Sequence, residues 1–198
     1  MMQDDGGPSP LPHYSDLGAR VRAARRQNGL RLTDLAEKAG CSPSMLSKIE
    51  TERATPSLRI LHRIATALDT SIAQLFSETE RTAVTLYRAG GRPSVLVRRS
   101  KDAPAIHLER LAPALPDQKI DGNIHVLEPG ADSGGDISHA GEEIGYILVG
   151  LIELNVAGQV YELAAGDSFH FISELPHRYR NLSSGESRVL WVNTPPTF

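Results

Sequence analysis

Three side chains in the second half of the sequence have types and spacing that suit a metal site. His139 and Glu143 lie four residues apart at the entry to a predicted strand, and His177 follows in a second polar segment. Two imidazoles and one carboxylate with open coordination positions are typical of non-haem iron and similar divalent metals. The same groups could instead hydrogen-bond to one another, to water or to an organic effector. The site therefore holds either a divalent metal (Fe, Mn, Ni or Zn) or no cofactor.

Aromatic side chains on the predicted strands nearby could form part of a ligand pocket. Tyr146, Tyr179 and Trp191 alternate within those strands, and they either line the mouth of a pocket or fill the core. The other histidines have no partner at a spacing that suits a site, so surface or core positions are predicted for them. These are His13, His62, His107, His125 and His170.

A second group of candidate functional residues surrounds the start of a short predicted helix in the first half of the chain. It consists of Thr33, Ser42, Pro43, Ser44, Met45, Ser47 and Lys48. Small, polar and cationic side chains at a helix start can approach base edges and phosphates in a DNA major groove. Exposed backbone N–H groups there also suit phosphate oxygens. Periodicity alone is equally compatible with a helical bundle that has no DNA role.

Helical periodicity positions this second group. Between residues 15 and 76, apolar residues recur at intervals of three and four, which predicts five short helices. The predicted N-caps are Thr33, Ser42, Ser57 and Ser71. Gly40 suits the left-handed end of the helix before it, and Pro43 suits a first helical position. Two of these helices, joined by residues 40–42, have the spacing of a helix-turn-helix.

Short strands position the first group. Ten β-type runs lie between Val84 and Val192, separated by Gly, Pro, Asp and Ser. Many short strands with turn residues every ten or so positions predict a sandwich or a small barrel. Ala157 and Gly158, between two such runs, predict a tight hairpin turn. The sequence therefore predicts helices first and strands afterwards.

Length and composition limit the class of protein. The 198 residues, 40% hydrophobic and 23% charged, fit one large or two small globular domains. No apolar run approaches the ~18 residues needed to span a membrane. The N-terminal segment has two Asp and no apolar block, which argues against a secretory signal. The single cysteine, Cys41, forms no internal disulfide and suits a reducing cytoplasm.

Charge is unevenly distributed between the two halves of the chain. Residues 1–78 hold ten Lys/Arg and nine Asp/Glu, whereas residues 79–198 hold eleven and fifteen. The second half is therefore acidic, while the first half is weakly basic. This distribution permits a nucleic-acid partner for the first half only.

The stretch from Leu17 to Phe76 closely resembles the XRE-type (Cro/repressor-like) helix-turn-helix family. The shared features are the LAxxAG turn, the SxSxLSKIE recognition helix, the R-x-x-P-S step and the final L-F. The resemblance implies a DNA-binding domain over 15–77, with its motif at about 32–51. One position departs from the family, because Asp34 stands where a Gln often braces a phosphate and the recognition helix.

Two later segments resemble the paired motifs of the cupin superfamily. His139, Glu143 and Gly150 fit the first motif, and Gly166, His177 and Asn181 fit the second. Ile137 replaces the leading His of the first motif, and Ile172 and Glu174 replace the Pro and Gly of the second. The resemblance implies an effector-sensing antiparallel β-barrel (a double-stranded β-helix) over 105–198, with one of four usual metal ligands missing.

Together, the two resemblances imply a two-domain α + β protein similar to bacterial transcriptional regulators. A disordered tail (1–14) would precede the five-helix domain, and a linker with lead-in strands (78–104) would join it to the barrel. The expected activity is sequence-specific DNA binding, with an affinity modulated by a small molecule or metal in the barrel. The expected partners are a pseudo-palindromic operator and a second copy of the chain. We expect a cytoplasmic location, no membrane contact and no enzymatic activity.

An enzyme is the alternative. A phosphonate epoxidase family joins the same two folds and holds iron with two His and one Glu, and residues 139–143 look similar to its metal strand. Its members have an Asn three positions before the first iron-binding His, where it helps to hold the substrate. This chain has Asp136 at that position, which is expected to repel an anionic phosphonate.

Overall fold

A computed structural model of the chain describes residues 16–75, 84–113, 115 and 118–197. A helical region comes first and a β-region follows it. The predicted tail, 1–14, and part of the predicted linker, 78–83, lie outside the described residues. None of the described helices is long and apolar enough to cross a membrane.

The described part of the helical region contains four helices of seven residues or more and one single-turn helix. They are α1 Leu17–Gln27, α2 Leu32–Lys38, α3 Pro43–Glu50, α4 Leu58–Ala67 and α5 Ile72–Leu75. The prediction of five short helices is therefore confirmed only for the first four. Within the described residues, four helices make up the region and α5 spans a single turn, with Ile72 and Leu75 buried.

Serine hydroxyl groups cap the N-termini of three of these helices, as predicted. Ser42 accepts a hydrogen bond from the Met45 backbone N–H at 3.1 Å, and Ser57 accepts one from Ile60 at 3.3 Å. Ser71 caps α5 in the same way. Such a bond satisfies a backbone donor that has no partner within the helix.

The predicted cap at Thr33 is wrong, because α2 begins at Leu32, two residues earlier than a cap at Thr33 would require. Thr33 lies inside the helix, and Arg31 is the capping residue. The Arg31 backbone N–H donates to the Asp34 carboxylate at 2.9 Å, and the Arg31 guanidinium pairs with that carboxylate. The acidic residue that departs from the family pattern therefore serves the start of its own helix.

Helix α1 is held against the end of α3 by a buried ion pair and a close backbone contact. The Arg25 guanidinium donates to both carboxylate oxygens of Glu50, at 2.6 and 2.9 Å. Removing one partner of such a buried pair costs about 3–5 kcal/mol, because the other charge stays uncompensated. Gly18 of α1 lies against the backbone of Ile49 and Glu50, where a side chain would not fit. These contacts fix the C-terminal end of α3 against α1.

Nine strands form in the described part of the β-region. They are β1 Ser94–Arg98, β2 Ala105–Arg110, β3 Asp121–Leu127, β4 Glu142–Val149, β5 Leu151–Val156, β6 Gln159–Ala164, β7 Ser168–Ile172, β8 His177–Asn181 and β9 Ser187–Thr194. The predicted Ala157–Gly158 turn is confirmed, since both residues have positive φ, at 52° and 84°, as a type I′ hairpin requires. The described residues Val84–Tyr87 form no strand, and Val84 and Leu86 are exposed.

The strands divide into two antiparallel sheets. One has the order β1-β2-β3-β9-β4-β7 and the other the order β6-β5-β8. The predicted antiparallel β-barrel is therefore not closed by strand pairing among the described residues, which form two sheets instead. Gly150, the one residue between β4 and β5, has a φ of 86° and turns the chain from the first sheet into the second.

The helical region and the β-region contact each other through the beginning of α4. The Arg59 backbone N–H donates to the Ser133 carbonyl at 3.2 Å. The Arg98 backbone N–H, at the end of β1, donates to the Pro56 carbonyl at 3.0 Å. These main-chain bonds fix the beginning of α4 against the loop that leads into β4 and against the end of β1.

The close approach of α1 to α3 yields a stability prediction. A Cβ at position 18 would lie 2.5 Å from the Ile49 carbonyl oxygen, so Gly18→Ala should force the two helices apart. Such overpacking costs about 1–3 kcal/mol, which urea unfolding followed by circular dichroism would measure. Gly91→Ala is the matched control, because its Cβ would meet only the Arg88 carbonyl at 3.6 Å. Equal stability of the two variants would contradict the close packing.

Candidate functional site

The three predicted metal-site residues lie together in the β-region. His139 Nε2 is 2.7 Å from Glu143 Oε1, and His177 Nε2 is 3.6 Å from Glu143 Oε2. One ligand atom from each residue lies within 4.8 Å of the other two. At most 5% of each side chain is exposed. The structure therefore places the site in the interior.

Paired strands bring these residues together. Glu143 is the second residue of β4, and His177 is the first of β8. The segment before β4 pairs with the start of β8 in an antiparallel bridge, in which Ile137 and His177 exchange two backbone hydrogen bonds of 2.8 and 2.9 Å. Two residues later, the His139 N–H donates to the Ser173 carbonyl at 3.0 Å. His139 is therefore held between β4 and the entry to β8.

Backbone carbonyls select the tautomer of both histidines. His177 Nδ1 lies 2.9 Å from the Leu175 carbonyl oxygen, and His139 Nδ1 lies 3.1 Å from that of Ala140. A carbonyl oxygen only accepts hydrogen bonds, so each Nδ1 carries the proton and donates. In a neutral ring this leaves the Nε2 lone pair facing Glu143, which is the arrangement found in metal-ligating histidines. The donor set therefore fits a divalent metal.

Burial supports the same assignment for His177. It lowers the pKa of this imidazole below its ordinary value, and the nearby Glu143 carboxylate acts in the opposite direction. The ring is therefore neutral at pH 7, which is the ligating form of histidine. Trp191 supports the carboxylate from the other side, since its Nε1–H donates to Glu143 Oε2 at 3.0 Å. Such second-layer bonds orient metal ligands.

The predicted pocket aromatics separate into two groups. Tyr179 and Trp191 are buried beneath the candidate metal site, with ring centroids 4.8 Å apart. Tyr146 lies on the outer face of β4 and is 44% exposed, so it does not line an interior pocket. The reason is the two-residue period of a strand. Tyr146 is an odd number of positions from the inward-facing Glu143, whereas Tyr179 is two positions from His177.

Two histidines that showed no useful spacing in the sequence also lie at the site. His125 stacks on Trp191, and its Nδ1 lies 2.7 Å from the Tyr179 hydroxyl. Complete burial lowers the pKa of His125 to about 3 and raises that of Tyr179 well above its ordinary value. Both groups are therefore neutral at pH 7.

The other histidine, His62, comes from the helical region. Its ring centroid, on α4, is 5.2 Å from that of His139. Its pKa is lowered to about 4, chiefly by burial and also by the proximity of His139 and His177. Spacing within the sequence could not reveal it, because the contact depends on how α4 packs against the β-region.

The predicted DNA-binding residues lie at the surface of the helical region. Thr33 on α2 is exposed, and so are Ser42, Pro43, Ser44, Met45, Ser47 and Lys48 on and before α3. Leu46 and Ile49 are buried on the opposite side of α3. Because the apolar side of α3 packs into the core, its polar and cationic side faces outwards.

A groove beside α3 contains cations that the sequence did not associate with it. One wall is formed by Ser44, Met45 and Lys48 of α3 and by Glu52 and Arg53, and the other by residues 98–101. That second wall is the end of β1 and the turn after it, and it carries Arg98, Arg99 and Lys101. About fifty residues separate the two walls in sequence, so only the packing of the two regions brings them together.

Asp136, the departure relevant to a phosphonate enzyme, is paired with a cation. Its carboxylate accepts a hydrogen bond from the Arg178 guanidinium at 2.8 Å, and both side chains are about half exposed. The expected repulsion of an anion is therefore partly offset by a neighbouring positive charge. The position alone does not decide between a regulator and an enzyme.

Comparisons with known proteins give one family match in each of the two regions. The helix-turn-helix family HTH_3 matches residues 21–75, and the cupin domain family Cupin_2 matches residues 123–193. The HTH-type transcriptional regulator PuuR of Escherichia coli is 29% identical over 185 residues, covering 91% of this chain and 96% of PuuR. The regulator SutR of the same organism is 27% identical over 173 residues, covering 87% and 90%.

A solved structure has the same fold over both regions. The crystal structure of an HTH_3 family transcriptional regulator from Vibrio cholerae superposes with a TM-score of 0.66 at 21% identity. The superposition covers 92% of this chain and 96% of that one. The fold is therefore a helical N-terminal region followed by a C-terminal cupin domain built of β-sheets, as the two resemblances predicted.

The site geometry yields a metal-binding prediction. Dialysed protein should gain stability with Fe(II), Mn(II), Ni(II) or Zn(II), by about 2.7 kcal/mol at an ion concentration 100 times Kd. His177→Ala should abolish the gain, because it removes one of three ligands. Ile137→His should enlarge it, because residue 137 pairs directly with His177 and points to the same face. Thermal melts with and without each ion measure these effects.

The control for this experiment is an exposed histidine. His170 pairs with Glu142 on the surface, so His170→Ala should keep the wild-type gain. The gain should shrink in acid, because protonated histidines cannot bind metal. A wild-type melting temperature that none of the four ions changes would exclude the metal site.

Proposed function

We propose that this chain, an XRE-type helix-turn-helix transcriptional regulator with a C-terminal cupin domain, binds a specific DNA operator and changes its affinity for it when the cupin site is occupied. The observation that carries the proposal is the complete and exposed recognition helix α3 beside a buried polar site. The proposed division places the DNA-binding domain at 15–77 and the effector domain at 105–198. The place of action is the cytoplasm, where bacterial DNA lies.

The shape and charge of α3 support DNA binding. Its Ser42 cap and Pro43 leave the start of the helix exposed, and Ser44 is small enough for close approach to a base edge. Lys48 supplies a positive charge for a phosphate. Arg53 and the turn carrying Lys101 add positive charge along the same groove, which suits a DNA backbone beside a recognition helix.

The cupin site supports a sensing role. A ligand that binds one arrangement of the two regions better than another shifts the population toward it, and DNA affinity changes by the same factor. The candidate ligands His139, Glu143 and His177 are buried, so a small ion reaches them more readily than a large organic molecule. This favours a divalent metal as the effector, and it also favours a sensor over an enzyme that must admit a substrate.

A homodimer is proposed because recognition helices of this type bind paired half-sites about 34 Å apart, one DNA turn. The outer face of β4 offers a surface for a second copy. Ile144, Tyr146 and Leu148 are each at least 40% exposed on that face. A contiguous exposed apolar patch on a sheet is typical of an association surface. Two copies joined there would bind a pseudo-palindromic operator.

DNA recognition is tested on an operator selected from random DNA. Lys48→Ala should weaken binding to all sequences and reduce the slope of log affinity against log salt by about one, as loss of one phosphate contact does. Ser44→Ala should instead change base preference at one position, because it removes a hydroxyl near a base edge. Gel-shift titrations at several salt concentrations measure both effects.

The matched control is an exposed lysine of the β-region. Lys119→Ala removes the same charge away from α3 and should leave the salt slope unchanged. If the Ser44→Ala/Lys48→Ala double variant binds the selected operator as the wild type does, α3 is not the recognition helix.

The dimer surface is tested by charge insertion. Ile144→Arg and Leu148→Arg should convert the dimer into a monomer, because a buried unpaired charge costs several kcal/mol at an apolar interface. Their affinity for the full operator should fall to that for a half-site. Val160→Arg, at an equally exposed position on β6, is the control. Light scattering after gel filtration gives the mass, and an unchanged mass for both variants would exclude this face.

A further inference from the structure

One of the contacts between the two regions is made by the segment that leads to His139. This segment, 133–135, receives the Arg59 backbone N–H at the Ser133 carbonyl, 3.2 Å away. Gly134 and Gly135 lie so close to α4 that a Cβ at either position would meet Ser57 or Arg59, at 2.6 and 3.1 Å. Both glycines have positive φ, at 85° and 123°. The loop is therefore shaped to let α4 approach.

Arg59 and His62 are three residues apart and lie on the same side of α4. While Arg59 contacts the start of the loop, His62 reaches its end, where its ring centroid is 5.2 Å from that of His139. His139 and His177 have a centroid separation of 5.5 Å. Tetrahedral coordination with metal–nitrogen bonds of about 2.0–2.1 Å brings two imidazole centroids to about 5 Å. The spacing of His62 therefore matches that of the assigned pair.

A site with three ligands leaves a position open for another donor. Ile137, which pairs with His177, has no donor atom to offer. The compact group of ligand atoms within 4.8 Å comprises His139, Glu143 and His177, without His62. His62 would complete the set by a rotation of its side chain or by a closer approach of α4.

We propose that His62 is a fourth ligand, contributed by the DNA-binding region, to a divalent metal held by His139, Glu143 and His177. Metal binding then draws α4 toward the β-region. The inference rests on the metal site proposed above and names how that site regulates DNA binding. Four ligands with three imidazole nitrogens and one carboxylate oxygen suit Zn(II), and the same donors bind Ni(II) and Co(II).

Movement of α4 would reach the recognition helix through the core. His62 shares α4 with Leu61 and Ile64, which are buried in the same core as Leu46 of α3. A close-packed core moves as a unit and does not deform gradually. A shift of α4 therefore changes where α3 lies relative to the basic turn at residues 98–101. Since linkage is reciprocal, operator binding changes metal affinity by the same factor.

The test compares His62→Phe with wild type in the dialysed full-length protein. Phenylalanine keeps a planar ring in the same space but has no nitrogen donor. Titration calorimetry with Zn(II) should show an affinity at least about tenfold lower for His62→Phe. The visible spectrum of the Co(II)-loaded protein should change, since it reports the number of ligands. Metal should slow amide hydrogen exchange in α4 of the wild type and leave it unchanged in His62→Phe.

Controls separate this inference from the metal site itself. His170→Ala should match wild type in all three measurements, and circular dichroism should show that every variant is folded. If His177→Ala loses metal while His62→Phe keeps wild-type affinity, spectrum and α4 exchange, the metal site stands and the role of His62 is overturned. If the wild type binds no metal, both proposals are overturned. Loss of affinity and of the α4 response in His62→Phe, with His177→Ala also inactive, establishes the link.

Discussion

The buried carboxylate of Glu143 is the constraint on which the rest of the structure depends. No part of this side chain is exposed, and taking a carboxylate out of water costs several kcal/mol unless it is paired and hydrogen-bonded. His139, His177 and Trp191 supply that compensation, and they come from the loop before β4, from β8 and from β9. The need to satisfy one group therefore fixes the positions of two sheets and of the loop that receives α4.

From that loop, the constraint extends to the DNA-binding surface. Arg59 bonds to the loop backbone, and α4 packs on α2, which in turn packs on α3. Helix α3 is in turn anchored from behind by the Arg25–Glu50 pair. Each step is a packed or hydrogen-bonded contact, which is the kind of connection that carries coupling between distant sites. A continuous series of contacts therefore joins the cluster around Glu143 to α3.

Local chemistry made much of this predictable from the sequence. Periodicity indicated helices α1–α4 and nine of the strands, and the spacing of two short motifs indicated His139, Glu143 and His177. The sequence-based predictions failed at two kinds of position. At one, another side chain satisfied the same backbone group; at the other, the contact joined segments far apart in the chain. Thr33 was displaced as a cap because the Asp34 carboxylate satisfies the backbone at Arg31. His62 could not be placed, because its neighbours come from the docking of two regions and no spacing along the chain encodes it.

The chemistry of the site favours an occupant between its donor atoms. The Nδ1 atoms of His139 and His177 donate to backbone carbonyls, so their Nε2 atoms and the Glu143 oxygens face one another. Without an added charge these are all acceptors, and facing lone pairs repel. Either a proton on an imidazole or a cation between the groups relieves that repulsion, and the two compete for the same space. A divalent ion satisfies every acceptor at once, whereas a proton bridges only one pair. The His62 ring centroid lies 5.2 Å from that of His139, so this side chain of α4 borders the same cluster. On the proposal above, an ion bound at the cluster would also join α4 to the β-region through His62.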